Sequence, residues 1–244
     1  MTLDKAIRWT LYALALFLPF SISGAQTALA LLCLLLAVRA GLRRQVPRPG
    51  EPTGWLIVAL VGWVLLAAPF ALYPELTWPR LAKYWIWLTY FVALASFADW
   101  PTARRAVSIL VFAAGVTAIY GIAQHLFGDA VPRYFVPSVK LWQKTGGYYH
   151  SVGMFDHHLT YGNNLIIIIL LGLGLWFETR QWRQRIALSV ALILCTFGLL
   201  WSYARSAWIG LLAGLMIFAG LKGKRALIIT LAAISLLGLA AVKA

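Results

Sequence analysis

Residues 159–177 read LTYGNNLIIIILLGLGLWF and contain no Asp, Glu, Lys or Arg. A helix of this length reaches about 28 Å at about 1.5 Å per residue, and the hydrocarbon core of a bilayer is about 30 Å thick. Lipid offers the backbone no hydrogen-bond partner, and the stretch lacks the alternation of a barrel strand. It therefore predicts a transmembrane helix.

Seven further runs without charged residues accompany this one, at 9–38, 52–74, 84–98, 106–128, 186–204, 206–221 and 226–242. Together they predict an all-α fold, a polytopic transmembrane bundle of about nine crossings that forms a single domain over 1–244. The first run is expected to form a short hairpin, 9–38. The other predicted spans are about 53–72, 80–98, 106–127, 160–177, 186–203, 206–221 and 226–242, with a periplasmic loop at 129–159.

Composition excludes several classes of protein. The chain is 62% hydrophobic and 11% charged, whereas a soluble domain is about 45–50% apolar and about a quarter charged. This excludes an ordinary soluble enzyme, a disordered chain and a disulfide scaffold. Cys33 and Cys195 both fall inside predicted spans, so we expect buried hydrophobic residues rather than a disulfide or a metal site.

The first apolar run is too long for one perpendicular helix and is interrupted by PFSISG at 19–24. We interpret it as two short helices in a hairpin. A signal peptide cleaved after Ala25 is the alternative, because a basic start and small residues precede that point. Another apolar segment, 27–38, follows immediately, which favours the uncleaved hairpin.

Positive charge predicts the orientation of the chain. With the N-terminus in the cytoplasm, 14 of the 21 Lys and Arg residues lie on the cytoplasmic side, as the positive-inside rule expects. The remaining seven are Arg80, Lys83, Arg133, Lys140, Lys144, Arg205 and Lys243. The net charge of +14 therefore marks topology. The sequence contains no basic stripe interleaved with aromatic residues, so it does not predict nucleic-acid binding.

Three features suggest chemistry on the non-cytoplasmic side. The loop 129–159 ends in His150, Asp156, His157 and His158; a metal site, a wet polar loop and a substrate site are the alternatives, and the spacing suits a metal poorly. Arg205 is a lone charge between two long apolar runs, where it either snorkels to headgroups or binds an anion.

Arg80 and Lys83 are the third feature, a pair of cations three residues apart at the start of a predicted span. They share one helical face, and they either bind lipid headgroups or hold a phosphate at a helix N-terminus. Together the three features favour a lipid-linked phosphate or pyrophosphate as substrate.

Two motifs carry a family resemblance. GMFDHHLTYGN at 153–163 is followed about forty residues later by SYARSAW at 202–208. The pair resembles the O-antigen ligase and polymerase family of bacterial inner-membrane proteins, whose pattern is approximately G-x-F-x-x-x-H-x-x-(A/T)-x and S-x-x-R-(S/G)-A-W. In this register His158 and Arg205 take the places of the family's His and Arg.

The resemblance implies a metal-independent, inverting glycosyltransferase without a cofactor. Its donor would be a polysaccharide on undecaprenyl pyrophosphate, its acceptor lipid A–core at the periplasmic face of the inner membrane, and its surroundings membrane lipids. Arg205 would be catalytic by stabilising the leaving pyrophosphate. The implied substrate-binding residues are Arg80, Lys83, His157, His158, Tyr161 and Tyr203.

Members of the family are usually longer, with a large periplasmic loop that carries a further arginine and the histidine thought to act as base. We therefore expect this chain to match the N-terminal part of such an enzyme, truncated before its catalytic loop. O-antigen polymerase and protein O-oligosaccharyltransferase are alternatives within the class. A transporter of lipid-linked sugars and a non-catalytic membrane subunit are alternatives outside it.

Overall fold

The computed structural model describes residues 2–43, 52–71, 73–81, 87–97, 99–131 and 147–223. The regular secondary structure over these ranges is helical, which confirms the predicted all-α class for this part of the chain. The α-helices are α1 Leu3–Phe17, α2 Ile22–Arg43, α3 Pro52–Ala67, α4 Pro74–Leu81, α5 Leu88–Ser96, α6 Trp100–Phe127, α7 His158–Glu178, α8 Trp182–Trp201 and α9 Arg205–Lys222, with 3₁₀ turns at Ala68–Phe70 and Gly128–Ala130.

Several of these helices are long and apolar enough to cross a membrane. In the described ranges there are five: Ile22–Leu42, Pro52–Phe70, Trp100–Phe127, His158–Glu178 and Trp182–Trp201. The apolar helix Arg205–Leu221 is shorter. Length and composition thus indicate a membrane protein, as the sequence predicted. Nine crossings and a cytoplasmic N-terminus stay predictions.

The first apolar run forms two helices, α1 and α2, with a break at 18–21 where Pro19 supplies no backbone N–H. The second of them has 22 residues, longer than the short helix that the sequence suggested. The predicted span 80–98 covers the end of α4 and all of α5, and 82–86 lie outside the described residues. So do the span 226–242 and positions 132–146 of the predicted loop.

Two compact units make up the chain. The first comprises 1–14 and 26–103. Within it, Ile7, Leu11 and Leu14 are buried at the spacing of one helical face. The Arg39 guanidinium donates to the carbonyl of Ala95 at 2.6 Å and lies 3.8 Å from the carboxylate of Asp4, so one side chain ties α2 to α5 and α1.

The second unit comprises 15–25 and 104–244, and its core is formed by α6 to α9. Small residues allow the helices to approach closely. A Cβ on Gly115 would lie 3.2 Å from the Cβ of Ala191, and one on Gly172 would lie 2.6 Å from Leu192. Such small-residue contacts are typical of helix pairs in lipid, where van der Waals packing replaces the hydrophobic effect.

Consecutive helices of the second unit run in opposite directions. The N–H of Ser151, ahead of α7, donates to the carbonyl of Trp201 at the end of α8 (2.9 Å). We call this end, which carries His125, His150, His157 and His158, the histidine end. The opposite end contains Arg104, where the second unit's part of α6 begins, and the turn that connects α7 to α8. We call it the arginine end (Arg104, Arg180, Arg183, Arg185).

Candidate functional site

The turn between α8 and α9 is built by residues of the second motif. The Ser202 hydroxyl donates to the carbonyl of Leu199 at 2.7 Å, and the Trp208 indole N–H donates to the same carbonyl at 3.2 Å. The carbonyl of Leu199 at the end of α8 thus receives two side-chain donors in addition to the N–H of Ser202 (3.3 Å). Tyr203 completes the reversal with φ = 53°, a left-handed conformation that costs a non-glycine residue about 1–2 kcal/mol.

The two motifs lie against each other. A Cβ on Gly162, in the first turns of α7, would stand 2.9 Å from the Cβ of Ala204 and 3.2 Å from that of Ala207. Only a residue without a side chain permits this approach. The fold therefore brings together, through Gly162, two stretches that lie about forty residues apart in the sequence.

Arg205 is the first residue of α9, and its side chain is exposed. It makes no hydrogen bond or ion pair with any residue that the structure describes. A cation at a helix N-terminus opposes the macrodipole, at a cost of about 0.3–1 kcal/mol. The N-cap residue, Ala204, offers no side-chain cap to the first N–H groups of α9, and its own N–H donates to the Ser202 hydroxyl at 3.3 Å. Free backbone donors and a guanidinium at one point favour an anionic ligand.

The segment 149–153, which leads into α7, is held by a buried glutamine on α6. The Gln124 side-chain oxygen accepts from the N–H groups of Val152 (3.1 Å) and Gly153 (2.9 Å). Its amide donates to the carbonyl of Gly153 at 3.0 Å. The Ser151 hydroxyl adds a bond to the carbonyl of Gly121 at 2.6 Å. The backbone approach to the first motif is therefore rigidly positioned.

His125 sits in a three-ring stack. Its ring is nearly parallel to Tyr148 (5.1 Å between centroids) and to Trp201 (4.7 Å). Its Nδ1 lies 2.7 Å from the carbonyl of Tyr149; since a carbonyl can only accept, this nitrogen carries the proton in that bond. The stack fixes Trp201, and with it the start of the α8–α9 turn.

The ring of Tyr203 connects this stack to the imidazoles of the other three histidines. The ring of Tyr203 lies 5.9 Å from His125 and 4.9 Å from His150. His158 then lies 5.1 Å from His150 and 4.4 Å from His157. All four histidines of the chain thus form one continuous aromatic cluster beside the turn that carries Arg205.

Burial, and after it the neighbouring Tyr148, raises the pKa of the Tyr203 phenol, which is therefore neutral at physiological pH. His157 is exposed and caps α7, because its Nδ1 accepts from the N–H of Leu159 at 3.2 Å. Its other ring nitrogen is left for a ligand. His158, the first residue of α7, is half-buried. Their positions on one helix start suit contact with an anion.

The remaining predicted site residues lie elsewhere. Tyr161 is 1% exposed, and its hydroxyl packs against the backbones of Gly121 and Gly198. Tyr161 therefore belongs to the core. Arg80 is in the last turn of α4, which begins at Pro74, and its side chain lies outside the described part. Lys83 lies outside it altogether. Neither cation is placed at the site.

Sequence reasoning missed Gln124 and His125. They are adjacent polar residues near the end of an otherwise apolar span, which is the signal that could have identified them. Over the described ranges, no group of three or more His, Cys, Asp or Glu side chains is arranged to hold a metal ion. No protein-family model, curated protein or solved structure matches the chain.

Proposed function

We propose that the protein is a membrane glycosyltransferase of the O-antigen ligase type, acting on a polysaccharide carried by undecaprenyl pyrophosphate. The observation that carries the proposal is the position of Arg205. Ser202 and Trp208 stabilise the turn and Ala204 and Ala207 pack on Gly162. Arg205 has no such task, and it stands at a helix N-terminus where a cation is unfavourable for stability.

The donor's pyrophosphate fits this chemistry. A guanidinium fork binds phosphate oxygens in bidentate fashion, and the uncapped N–H groups of α9 add backbone donors. His157 and His158 would hold the same group from the start of α7. Arg80 and Lys83 remain candidates for donor binding on the sequence alone.

The proposed reaction is an inverting displacement. A hydroxyl oxygen of lipid A–core forms a bond to the anomeric carbon while the bond from that carbon to the phosphate oxygen breaks. Undecaprenyl pyrophosphate leaves with the electron pair, and the hydroxyl proton passes to a general base. Arg205 would stabilise the negative charge that develops on the leaving oxygen. The site would face the periplasm of a bacterial inner membrane.

Replacing Arg205 tests the proposal. We expect Arg205→Ala to reduce transfer of polysaccharide to lipid A–core by roughly 100-fold or more, the usual effect of removing one group that stabilises the transition state. Arg205→Lys keeps the charge without the fork and should recover only part of the activity. The measurement is the lipopolysaccharide ladder of cells that express equal amounts of inserted protein.

Arg105→Ala is the matched control, since Arg105 is also exposed on a helix and should leave the ladder unchanged. Binding of undecaprenyl pyrophosphate to the purified protein is the second measurement, because it does not depend on the acceptor. A full ladder with Arg205→Ala, or donor binding equal to that of the wild type, would overturn the proposal.

Tyr203→Gly adds a second variant. Glycine adopts φ = 53° without strain, so the turn should form as before, but the ring between His125 and His150 is lost. We expect normal insertion with weakened donor binding. Unchanged binding would show that the aromatic cluster has a structural role alone.

A further inference from the structure

At the arginine end of the second unit, four arginines lie near the contact between α6 and the α7–α8 turn. The Arg104 guanidinium donates to the Thr179 hydroxyl (3.4 Å) and to the side-chain oxygen of Gln184 (3.3 Å). Arg180 follows Thr179 in the chain, and Arg183 and Arg185 flank Gln184. One acidic residue, Glu178, belongs to the same connection. Positive charge therefore exceeds negative charge at this point of the unit.

Two of the four side chains are held closely by neutral groups, and a third, Arg183, lies 6.0 Å over the ring of Trp182. Arg104 bonds to a hydroxyl and an amide oxygen, neither of which carries charge. The guanidinium of Arg185 lies 3.7 Å from the ring centroid of Trp176, and the Trp176 indole donates to Ser189 at 2.8 Å. Both cations are thus oriented without being neutralised, and none of the four forms an ion pair with a described residue.

This end lies where a membrane surface would be. The 21 residues of α7 span about 30 Å, which is the thickness of the hydrocarbon core. Trp176 precedes Arg180 in the chain and the exposed Trp182 lies between Arg180 and Arg183, as expected of tryptophans at the level of lipid headgroups. A ligand reaching these guanidinium groups from the bilayer would present its headgroup.

We propose that the arginine end is a binding site for an anionic phospholipid. Its phosphodiester is bound by Arg104 and Arg185, with Arg180 and Arg183 adding positive charge around it. Guanidinium groups bind phosphate oxygens bidentately, and clustered Arg side chains at the end of an apolar helix attract anionic headgroups. The site is separate from Arg205 and holds whether or not the protein is a glycosyltransferase.

Short-chain lipids test the proposal with the full chain in a neutral detergent. Dihexanoyl phosphatidylglycerol should raise the melting temperature in a saturable manner, because a ligand of the folded state stabilises it. Dihexanoyl phosphatidylcholine at the same concentrations should have little effect. Inorganic phosphate is the third probe: an equal shift with phosphate alone would overturn the assignment to a lipid.

Variants locate the site. Arg104→Gln and Arg185→Gln should each raise the half-saturating concentration of phosphatidylglycerol at least threefold, whereas Arg105→Gln removes the same charge beside the site and should not. If the first two variants fail to fold, Arg180→Gln, which replaces an exposed side chain, takes their place in the test. Equal weakening by Arg105→Gln, or equal shifts with both lipids, would mean diffuse attraction and would overturn the proposal.

Discussion

Gly162 is the residue on which the meeting of the two motifs depends. Its backbone packs directly against Ala204 and Ala207, so α7 can approach the α8–α9 turn without a side chain between them. Gly174, about three turns later in the same helix, has open space where a methyl group would lie. Gly162 and Gly174 therefore differ in purpose although they belong to the same helix.

Gly162→Ala should destabilise the protein by roughly 1–3 kcal/mol, the usual cost of overpacking a close contact. Gly174→Ala is the control in the same helix, and it should be neutral or stabilise by up to about 1 kcal/mol because alanine is the better helix former. Melting temperatures of the two purified variants check this. Equal effects of both substitutions would contradict the close packing at Gly162.

At the scale of elements, the short segment 149–153 depends on α6 for its conformation. Three backbone groups of this segment bond to the single side chain of Gln124, which is buried. Buried backbone groups that lose their partners are costly. The last turns of α6 therefore shape the chain that leads to His157 and His158.

Gln124→Leu should lower stability by roughly 3 kcal/mol, because each orphaned buried group costs about 1–3 kcal/mol and a similar volume is retained. Gln181→Leu is the matched control, since Gln181 is exposed and makes no capping bond. Chemical unfolding in mild detergent gives both values. A loss below about 1 kcal/mol would argue against Gln124 as the anchor.

The stability of the N-terminal turn of α6 is expected to depend on pH. The N–H of Thr102 donates to the Asp99 carboxylate at 2.7 Å, which caps the helix. Hydrogen bonds from the Thr102 side chain, and then from its backbone, lower the pKa of Asp99. A lowered folded-state pKa means that the cap stabilises above the unfolded value and is lost as pH falls through the folded one.

The acid side of the melting curve measures this effect. Wild type should lose a small part of its stability below the ordinary pKa range of an aspartate, whereas Asp99→Asn, whose side chain does not ionise, should lose less over the same pH interval. Parallel acid profiles for the two proteins would show that the carboxylate does not titrate with the cap formed.

At the scale of the whole molecule, the fold of the second unit places the histidine end and the arginine end at opposite termini of α8. Arg183 and Arg185 lie in the first turn of this helix, and Arg205 follows its last residue by four positions. A helix of 20 residues extends about 30 Å. If α8 crosses the bilayer, the histidine end and the arginine end face different compartments.

Single cysteines test this arrangement. In a background with Cys33→Ala and Cys195→Ala, we expect Ser206→Cys to react with an impermeant maleimide added to intact spheroplasts, and Gln181→Cys to react after permeabilisation. Both positions are exposed. Labelling of both from one side would contradict the crossing by α8, and a reversed pattern would contradict the predicted orientation.

The sequence by itself determined the helical class that the described part of the chain shows, with segments able to cross a membrane. Long charge-free runs have one solution in lipid, because each backbone group must find its partner within the same helix. It also singled out Arg205, His157 and His158, since polar residues beside such runs stand out. These conclusions need no knowledge of how the helices pack.

Only the tertiary structure decided which of those residues meet. The buried residues of α7 and α8 recur at helical spacing, but the exposed faces of these helices are apolar as well, so the sequence does not mark which face packs. His125 and Gln124 therefore emerged only with the fold, and Tyr161 moved from a predicted site to the core. The histidine cluster exists because four helix ends converge, and convergence is a property of packing rather than of composition.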